Sequence, residues 1–443
     1  MSLKRILENL PEVKGPAEKK LGFNVKLKWT LIILASYFVL ANIPLFGLAS
    51  NSLSRFEFLA IILGTQFGSV ISLGIGPIVM ASIILQLLVG SKMLNINMSS
   101  SEGKKTFQGL QKILIIFFCI FEATIYVLMK GLEAGPGFTG ILIFQLFLGG
   151  ILIMFMDEVI SKWGFGSGVS LFIAAGVGWQ LFTTAFGFLG PQNTISAVGR
   201  VWTFFASLSA GDTINATVAA TAILATILVF LVVVWAQAIK VEIPLSFGRI
   251  RGFGMRWPLA FFYTSNIPVI LTAALLANVQ LFGTLLENWL GISAASVTAF
   301  VNPPNVVENL IRGSFSGGMF FQSLVYMALM VAGSIMFAIF WVKTSGMDAS
   351  NVSNQILSSG LQIPGFRRDP RVLETVLNRY IMPLTIMGGA AVGLLAASAD
   401  LVGALVRGTG LLLGVMIVYK LYEEIAQQHA YDMYPALRKI MVK

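Results

Sequence analysis

Apolar residues in this chain come in long runs bounded by charge, not in alternation with polar ones. Runs of about 20 apolar residues mark helices that cross hydrocarbon, whereas a membrane barrel shows short alternating segments. Such runs are predicted over residues 29–47, 70–90, 113–129, 139–156, 169–188, 216–238, 257–281, 320–342, 380–398 and 408–422. A further stretch, Phe56-Glu57-Phe58-Leu59-Ala60-Ile61-Ile62-Leu63-Gly64, is apolar as well. At about nine residues it is too short to cross roughly 30 Å of hydrocarbon as a helix.

Charge decides how that short stretch is treated. The chain has 30 Lys+Arg against 20 Asp+Glu. With a cytoplasmic N-terminus and a short stretch that does not cross, 25 basic residues fall inside. Only 5 fall outside, namely Arg55, Lys130, Arg200, Arg312 and Arg407. If the stretch crossed, the later loops would change sides and the split would become 11 inside and 19 outside. Basic residues in short loops stay in the cytoplasm, so the first topology is selected. The stretch must then dip in from the outside and return, which is tolerated only where protein or a water-filled cavity surrounds it.

Composition agrees and narrows the class. The chain is 56% hydrophobic and 11% charged, with a mean hydropathy of +0.83. Soluble domains run at about 45–50% apolar and about 25% charged. A soluble enzyme, a disulfide scaffold and a disordered chain are excluded together, leaving an all-α polytopic membrane protein. Cys119 and His429 are the single cysteine and histidine. No disulfide framework can form and no Cys/His metal site is expected. Residues 1–28 carry 7 basic groups and no small-residue cleavage site follows the first run, so they do not read as a signal peptide. Leu3, Ile6, Leu7 and Leu10 recur there at helical spacing. Either an interfacial cytoplasmic helix or one packed on a partner fits that pattern.

Ten spans with both ends inside divide into two five-helix halves, the second inverted relative to the first. The first half is assigned to residues 29–190 and the second to 191–426, with a cytoplasmic tail at 427–443. Inverted repeats place the functional pathway at their interface, flagged by Gly/Pro interruptions at matching positions. Gly74-Ile75-Gly76-Pro77-Ile78-Val79 opens the second span and Ser265-Asn266-Ile267-Pro268-Val269-Ile270 the seventh. Gly166-Ser167-Gly168-Val169 opens the fifth and Gly408-Thr409-Gly410-Leu411 the tenth. Spans two, five, seven and ten are thereby expected to line whatever passes through.

Missing chemistry limits what that is. Within the ten runs the only deep ionisable residue is Glu122, a thin basis for ion coupling, which normally needs paired or relayed intramembrane charges. There is no phosphate-binding GxxxxGK[ST] loop and no intramembrane nucleophile–base pair, so neither an enzyme nor a cofactor is expected. The residues at the broken span starts are aliphatic: Ile75, Val79, Val169, Ile173, Ile270 and Leu413. They could be ordinary helix packing, or a ring that offers a substrate no polar contact and excludes water and ions. An inverted-repeat secondary transporter for a small solute is the rival reading.

The blocks at Gly74–Val79, Gln86-Leu87-Leu88-Val89-Gly90 and Phe107-Gln108-Gly109-Leu110-Gln111-Lys112 resemble the SecY family. So do Gly166–Gly168, Val241-Glu242-Ile243-Pro244-Leu245 and Ser265–Ile270. The wording is nearest the archaeal branch, and the resemblance runs from the N-terminal helix to the last span. It implies the central channel of a Sec translocon, a passive gated conduit that passes unfolded polypeptides and releases transmembrane segments sideways into lipid. A plug helix at about 54–64, including Arg55, Phe56, Glu57, Phe58, Leu59, Ala60, Ile61 and Ile62, is implied, and the six aliphatic residues become the pore ring. Glu122 and Asn266 fall on the lateral gate, where Met80 stands in place of a family threonine. Basic cytoplasmic loops 239–256 and 343–379 are implied to dock the ribosome, with Arg249, Arg251 and Arg367 foremost. The resemblance further implies SecE-type and Sec-beta-type small subunits, nascent chains with signal sequences and surrounding lipid as partners. The location it implies is the cell membrane, with cytoplasmic termini.

Overall fold

In hydrocarbon a segment can satisfy its backbone polar groups only as a helix or in a closed barrel, and here the apolar runs fold as helices. The computed structural model describes residues 10–17, 21–55, 60, 63–91, 93–94, 96, 100–188, 198–247, 254–264, 266–290, 295–358, 361–362 and 370–433. Ten spans follow in order: Phe23–Ala41, Gly76–Gly90, Ser101–Leu128, Thr139–Trp163, Gly168–Phe186, Thr213–Gln237, Ile267–Leu290, Gly317–Thr344, Pro370–Val402 and Gly408–Met433. Among the described residues, eight helices are long and apolar enough to cross a membrane on their own. The other two spans are the second, only 15 residues long, and the tenth, which carries Lys420, Glu423 and Glu424 in its distal half. The protein is a multi-pass membrane protein.

The second span explains how a broken helix is accommodated. Fifteen residues make about 22 Å of helix, short of the roughly 30 Å required. The remaining depth is taken by an irregular segment that satisfies itself inside the protein. Ile75 N–H donates to Leu63 C=O at 2.8 Å, Gly74 N–H to Ile71 C=O at 2.8 Å and Val70 N–H to Ile43 C=O at 3.0 Å. The Thr65 hydroxyl donates to Ile71 C=O at 2.6 Å. Leu63, Ile71, Leu73 and Ile75 are fully buried, as re-entrant backbone at membrane depth requires.

The apolar run read as beginning the seventh span at 257 starts outside the helix. Gly254–Ala260 is strand β4, paired antiparallel with β3 (Lys240–Phe247), with Ile243 opposite Trp257 and Val241 opposite Leu259. The helix itself begins at Ile267. Pro258 is compatible with β4 because that strand lies at the edge of its sheet. The apolar residues of this hairpin have a core of their own: Ile243 and Leu259 pack with Val352, Ile356, Leu373, Leu377 and Ile381. The loop read over 343–379 is therefore partly helical, with a helix at Ala349–Ser358 and the ninth span beginning at Pro370.

Ion pairs collect at the two ends of the bundle. At one end Lys112 Nζ lies 2.9 Å from Glu158 Oε1, and Lys162 bridges Glu158 at 3.0 Å and Glu12. The backbone of residues 11–14 lies across this cluster: Pro11 C=O accepts from Lys112 at 3.3 Å, and Lys14 C=O from Trp163 Nε1 at 2.9 Å. At the other end Arg312 pairs with Glu308 at 2.9 Å, and Ser50 donates to Glu133 at 2.8 Å.

Candidate functional site: an aliphatic constriction between two halves

The matching span starts fold alike. Ile75 precedes the second span and Asn266 the seventh, each followed by a proline at the second helical position, where a missing N–H costs nothing. Val79 N–H then donates to Ile75 C=O at 3.0 Å, and Ile270 N–H to Asn266 C=O at 3.1 Å. The first turns of the two helices thus present Val79 and Ile270 at equivalent places.

All six ring residues belong to one apolar cluster, with Ile75, Ile173 and Leu413 completely buried, Val79 and Ile270 nearly so, and Val169 half-buried against them. Val79, Val169 and Ile270 also line a cavity of about 590 Å³, together with Gln86, Gln111, Lys420 and Glu424. Ile75, Ile173 and Leu413 do not line it. Residues of spans two, five, seven and ten meet around this cavity.

Two carboxylates fix the helices that bring Val169, Ile173 and Leu413 to this point. Asp157 Oδ1 accepts from the backbone N–H of Val169 at 3.0 Å and from the Ser167 hydroxyl at 3.4 Å. Asp400 Oδ1 accepts from the backbone N–H of Thr409 at 2.7 Å, while its Oδ2 accepts from the Thr409 hydroxyl and, at 2.6 Å, from Tyr326. Each caps the N-terminus of the next span, where free N–H groups and the helix dipole favour negative charge. Gly168 and Gly408 allow the approach: a Cβ on Gly168 would lie 2.5 Å from Asp157 Cα, and one on Gly408 would overlap the Ala399 backbone. Sequence reasoning missed both carboxylates. Asp400, buried and 3% exposed, corrects the expectation that Glu122 is the only deep ionisable residue. The ninth helix runs to Val402 rather than ending at 398, and carries Asp400 inside.

Glu122 is 1% exposed, and among the described residues neither of its oxygens has a hydrogen-bond partner. It presses on the first turn of the second span, where a Cβ on Gly76 would lie 2.9 Å from Glu122 Oε2. Asn266 is also buried but lines the cavity. No hydrogen bond joins the two. The second and eighth spans are in close contact: a Cβ on Gly90 would run into the Phe340 ring.

Of the plug residues, Arg55 ends a single 3-10 turn, Ser52–Arg55, and Ala60 is helical. Phe56, Glu57, Phe58, Leu59, Ile61 and Ile62 lie outside the described residues. So do Arg249, Arg251 and Arg367.

Comparison with known proteins closes the question of kinship. The family described as SecY matches residues 69–422, and the plug domain of Sec61p matches residues 37–68. This chain belongs to the SecY family. The protein translocase subunit SecY of Methanothermobacter thermautotrophicus is 46% identical to it over 98% of this chain and 96% of its own. That of Methanococcus vannielii is 40% identical over 100% of both. Both relatives are archaeal, as the wording of the motifs implied. Among solved structures, a protein-conducting channel superposes with a TM-score of 0.86 at 39% identity, covering 99% of each chain. Sec61 in the canine ribosome–channel complex from the endoplasmic reticulum gives 0.82 at 38% identity, again over 99% of each. The rival transporter reading is not favoured, because the relatives are named as translocase subunits.

Proposed function

We propose that this chain is the pore-forming subunit of a Sec translocon, a passive gated conduit for unfolded polypeptide. The observation that supports this reading is a cavity of about 590 Å³ lined by residues of spans two, five, seven and ten, Val79, Val169 and Ile270 among them, with Ile75, Ile173 and Leu413 buried in the same apolar cluster. In this reading Ile75, Val79, Val169, Ile173, Ile270 and Leu413 are the gasket. A passing chain takes their place against one another, so the seal is kept while the chain moves.

The gate is the seam between spans two and three on one side and seven and eight on the other. An apolar signal sequence inserted there would exchange helix–helix contacts for its own, and roughly 20 apolar residues gain by moving on into lipid. Glu122 and Asn266 are polar positions on that seam. Segment 54–64 acts as the plug. The halves 29–190 and 191–426 move relative to each other as the gate parts.

The end carrying Lys112, Glu158 and Lys162 is cytoplasmic in this reading, with both termini on that side of the cell membrane. Basic loops 239–256 and 343–379, with Arg249, Arg251 and Arg367, would meet a phosphate-rich ribosome surface. Among the relatives, Sec61 has been solved with a ribosome, which supports that partner. SecE-type and Sec-beta-type subunits complete the complex. The driving force comes from outside the chain, from the translating ribosome.

The reading is tested by co-purifying the chain with its small subunits, reconstituting it in vesicles, and adding ribosome-bound chains bearing an apolar signal. Protease protection of those chains is expected. Complete digestion by a folded, ribosome-binding complex would overturn it.

A further inference from the structure

Several polar side chains around the cavity have their hydrogen bonds inside the protein. The Ser82 hydroxyl donates to Ile78 C=O at 2.8 Å and accepts from Gln111 Nε2 at 2.8 Å. The Thr344 hydroxyl donates to Phe340 C=O at 3.0 Å, and Asp157 is engaged by Val169 and Ser167. Gln86 differs. It lines the cavity and is 3% exposed, yet among the described residues its Oε1 has no hydrogen-bond partner. Such a group is uncommon inside a protein, because the hydration it gives up is not replaced.

Its place in the second span suggests a use. Val79, Ser82, Gln86 and Gly90 share one face of that helix, at the three- and four-residue spacing that stacks side chains. The face starts at the ring with Val79 and ends at Gly90, where an added Cβ would run into the Phe340 ring. Gln86 thus stands two turns from the ring and one turn inside the contact with the eighth span. Two turns of helix are about 10 Å, the length of about three residues of extended chain. Rotation about the last torsion, which is broad for glutamine, turns the oxygen toward the cavity.

We propose that Gln86 is a contact residue for the translocating polypeptide, its Oε1 accepting a backbone N–H of the extended chain in the cavity. The inference rests on the channel reading above and deepens it. Every residue except proline brings a backbone N–H, so an amide acceptor holds any sequence, as a conduit for unfolded chains requires. Successive residues offer the same group about every 3.3 Å, so the contact is renewed as the chain advances and has no preferred direction. It lengthens the dwell of a stalled chain without driving it. Ser82 and Gln111 are bonded to each other and do not compete for the chain.

The test uses the complete complex in vesicles and a signal-bearing chain stalled on the ribosome. A segment of about ten residues, either alanine and glycine or alanine and proline-rich, is placed to span the ring and Gln86 levels. Puromycin then releases the chain, and loss of protease protection follows its slide back. In the parent the proline-rich segment should slide about fivefold faster, the worth of one hydrogen bond. Gln86→Met should bring the ordinary segment to that faster rate and leave the proline-rich one unchanged. Gln86→Glu keeps an acceptor and should restore the difference. Equal rates for the two segments in the parent would overturn the proposal, and that comparison needs no variant to fold. A folded Gln86→Met complex that shifts both segments by one factor, or neither, would overturn it as well, since a purely structural role treats both chains alike. Failure of the channel reading looks different: the parental complex would protect no signal-bearing chain even before release.

Discussion

Asp157 and Asp400 hold equivalent places in the two halves, each accepting the backbone N–H at the start of the span that follows: Val169 at 3.0 Å and Thr409 at 2.7 Å. Ser167 and Thr409 repeat the pattern with their hydroxyls. The inverted repeat is thus visible in hydrogen bonding, and on both sides its purpose is to set the start of a helix that carries ring residues.

The two caps should differ in strength. Asp400→Ala leaves the Tyr326 hydroxyl and both donors of Thr409 without an acceptor in a buried site. A cost of about 2–4 kcal/mol is expected. Asp157 is half-buried beside the cavity, where water can replace it, so Asp157→Ala should cost about 1 kcal/mol. Thermal unfolding of the purified complex in detergent ranks them. A larger loss for Asp157→Ala would contradict the burial argument.

In the proposed channel the ring residues serve both packing and sealing. Ile75→Ala removes three carbons from a site with no exposure, which should destabilise the protein by about 2–4 kcal/mol. It should also raise ion leak, because the constriction loses a side chain that nothing else can replace. Ile75→Val keeps the branch and should do little of either. Flux and unfolding measured on the same preparations check the pair.

Glu122 distinguishes a conduit from a coupled transporter. Among the described residues neither oxygen has a hydrogen-bond partner, so Glu122→Gln removes none of the described bonds and keeps the shape. Translocation should persist, with altered ease of gate opening. Abolished transport of every substrate would instead revive the reading in which the carboxylate couples ion movement.

The N-terminal segment should come loose in acid. The hydrogen bond from Lys162, reinforced by its charge, holds the Glu12 carboxyl below its ordinary value. A carboxylate depressed in the folded state stabilises docking above its unfolded pKa and loses that contribution as pH falls through the folded one. Limited proteolysis of the tail should therefore accelerate only below the ordinary carboxylate range. Lys162→Met should make cleavage fast at neutral pH and flatten the dependence.

The sequence was informative where hydrocarbon leaves the chain few options. Run length, charge asymmetry and Gly/Pro breaks at Gly74–Pro77 and Ser265–Pro268 lead to the spans and to the residues that meet in the middle. What they do not reveal depends on packing between distant elements. Leu259 reads as membrane because it is apolar, yet it is buried in a hairpin core completed by Val352 and Leu377. Asp400 reads as the edge of a span because hydropathy counts its charge, whereas Tyr326 and Thr409 satisfy it inside.

The central claim is that polypeptide passes through the aliphatic ring. Its most direct test places a photo-crosslinking residue at Ile75 or Ile270 in the reconstituted complex and stalls a signal-bearing nascent chain on the ribosome. Crosslinks from both positions to the stalled chain, absent when the signal is deleted, are predicted. A stalled, protease-protected chain that crosslinks to neither position would contradict the account.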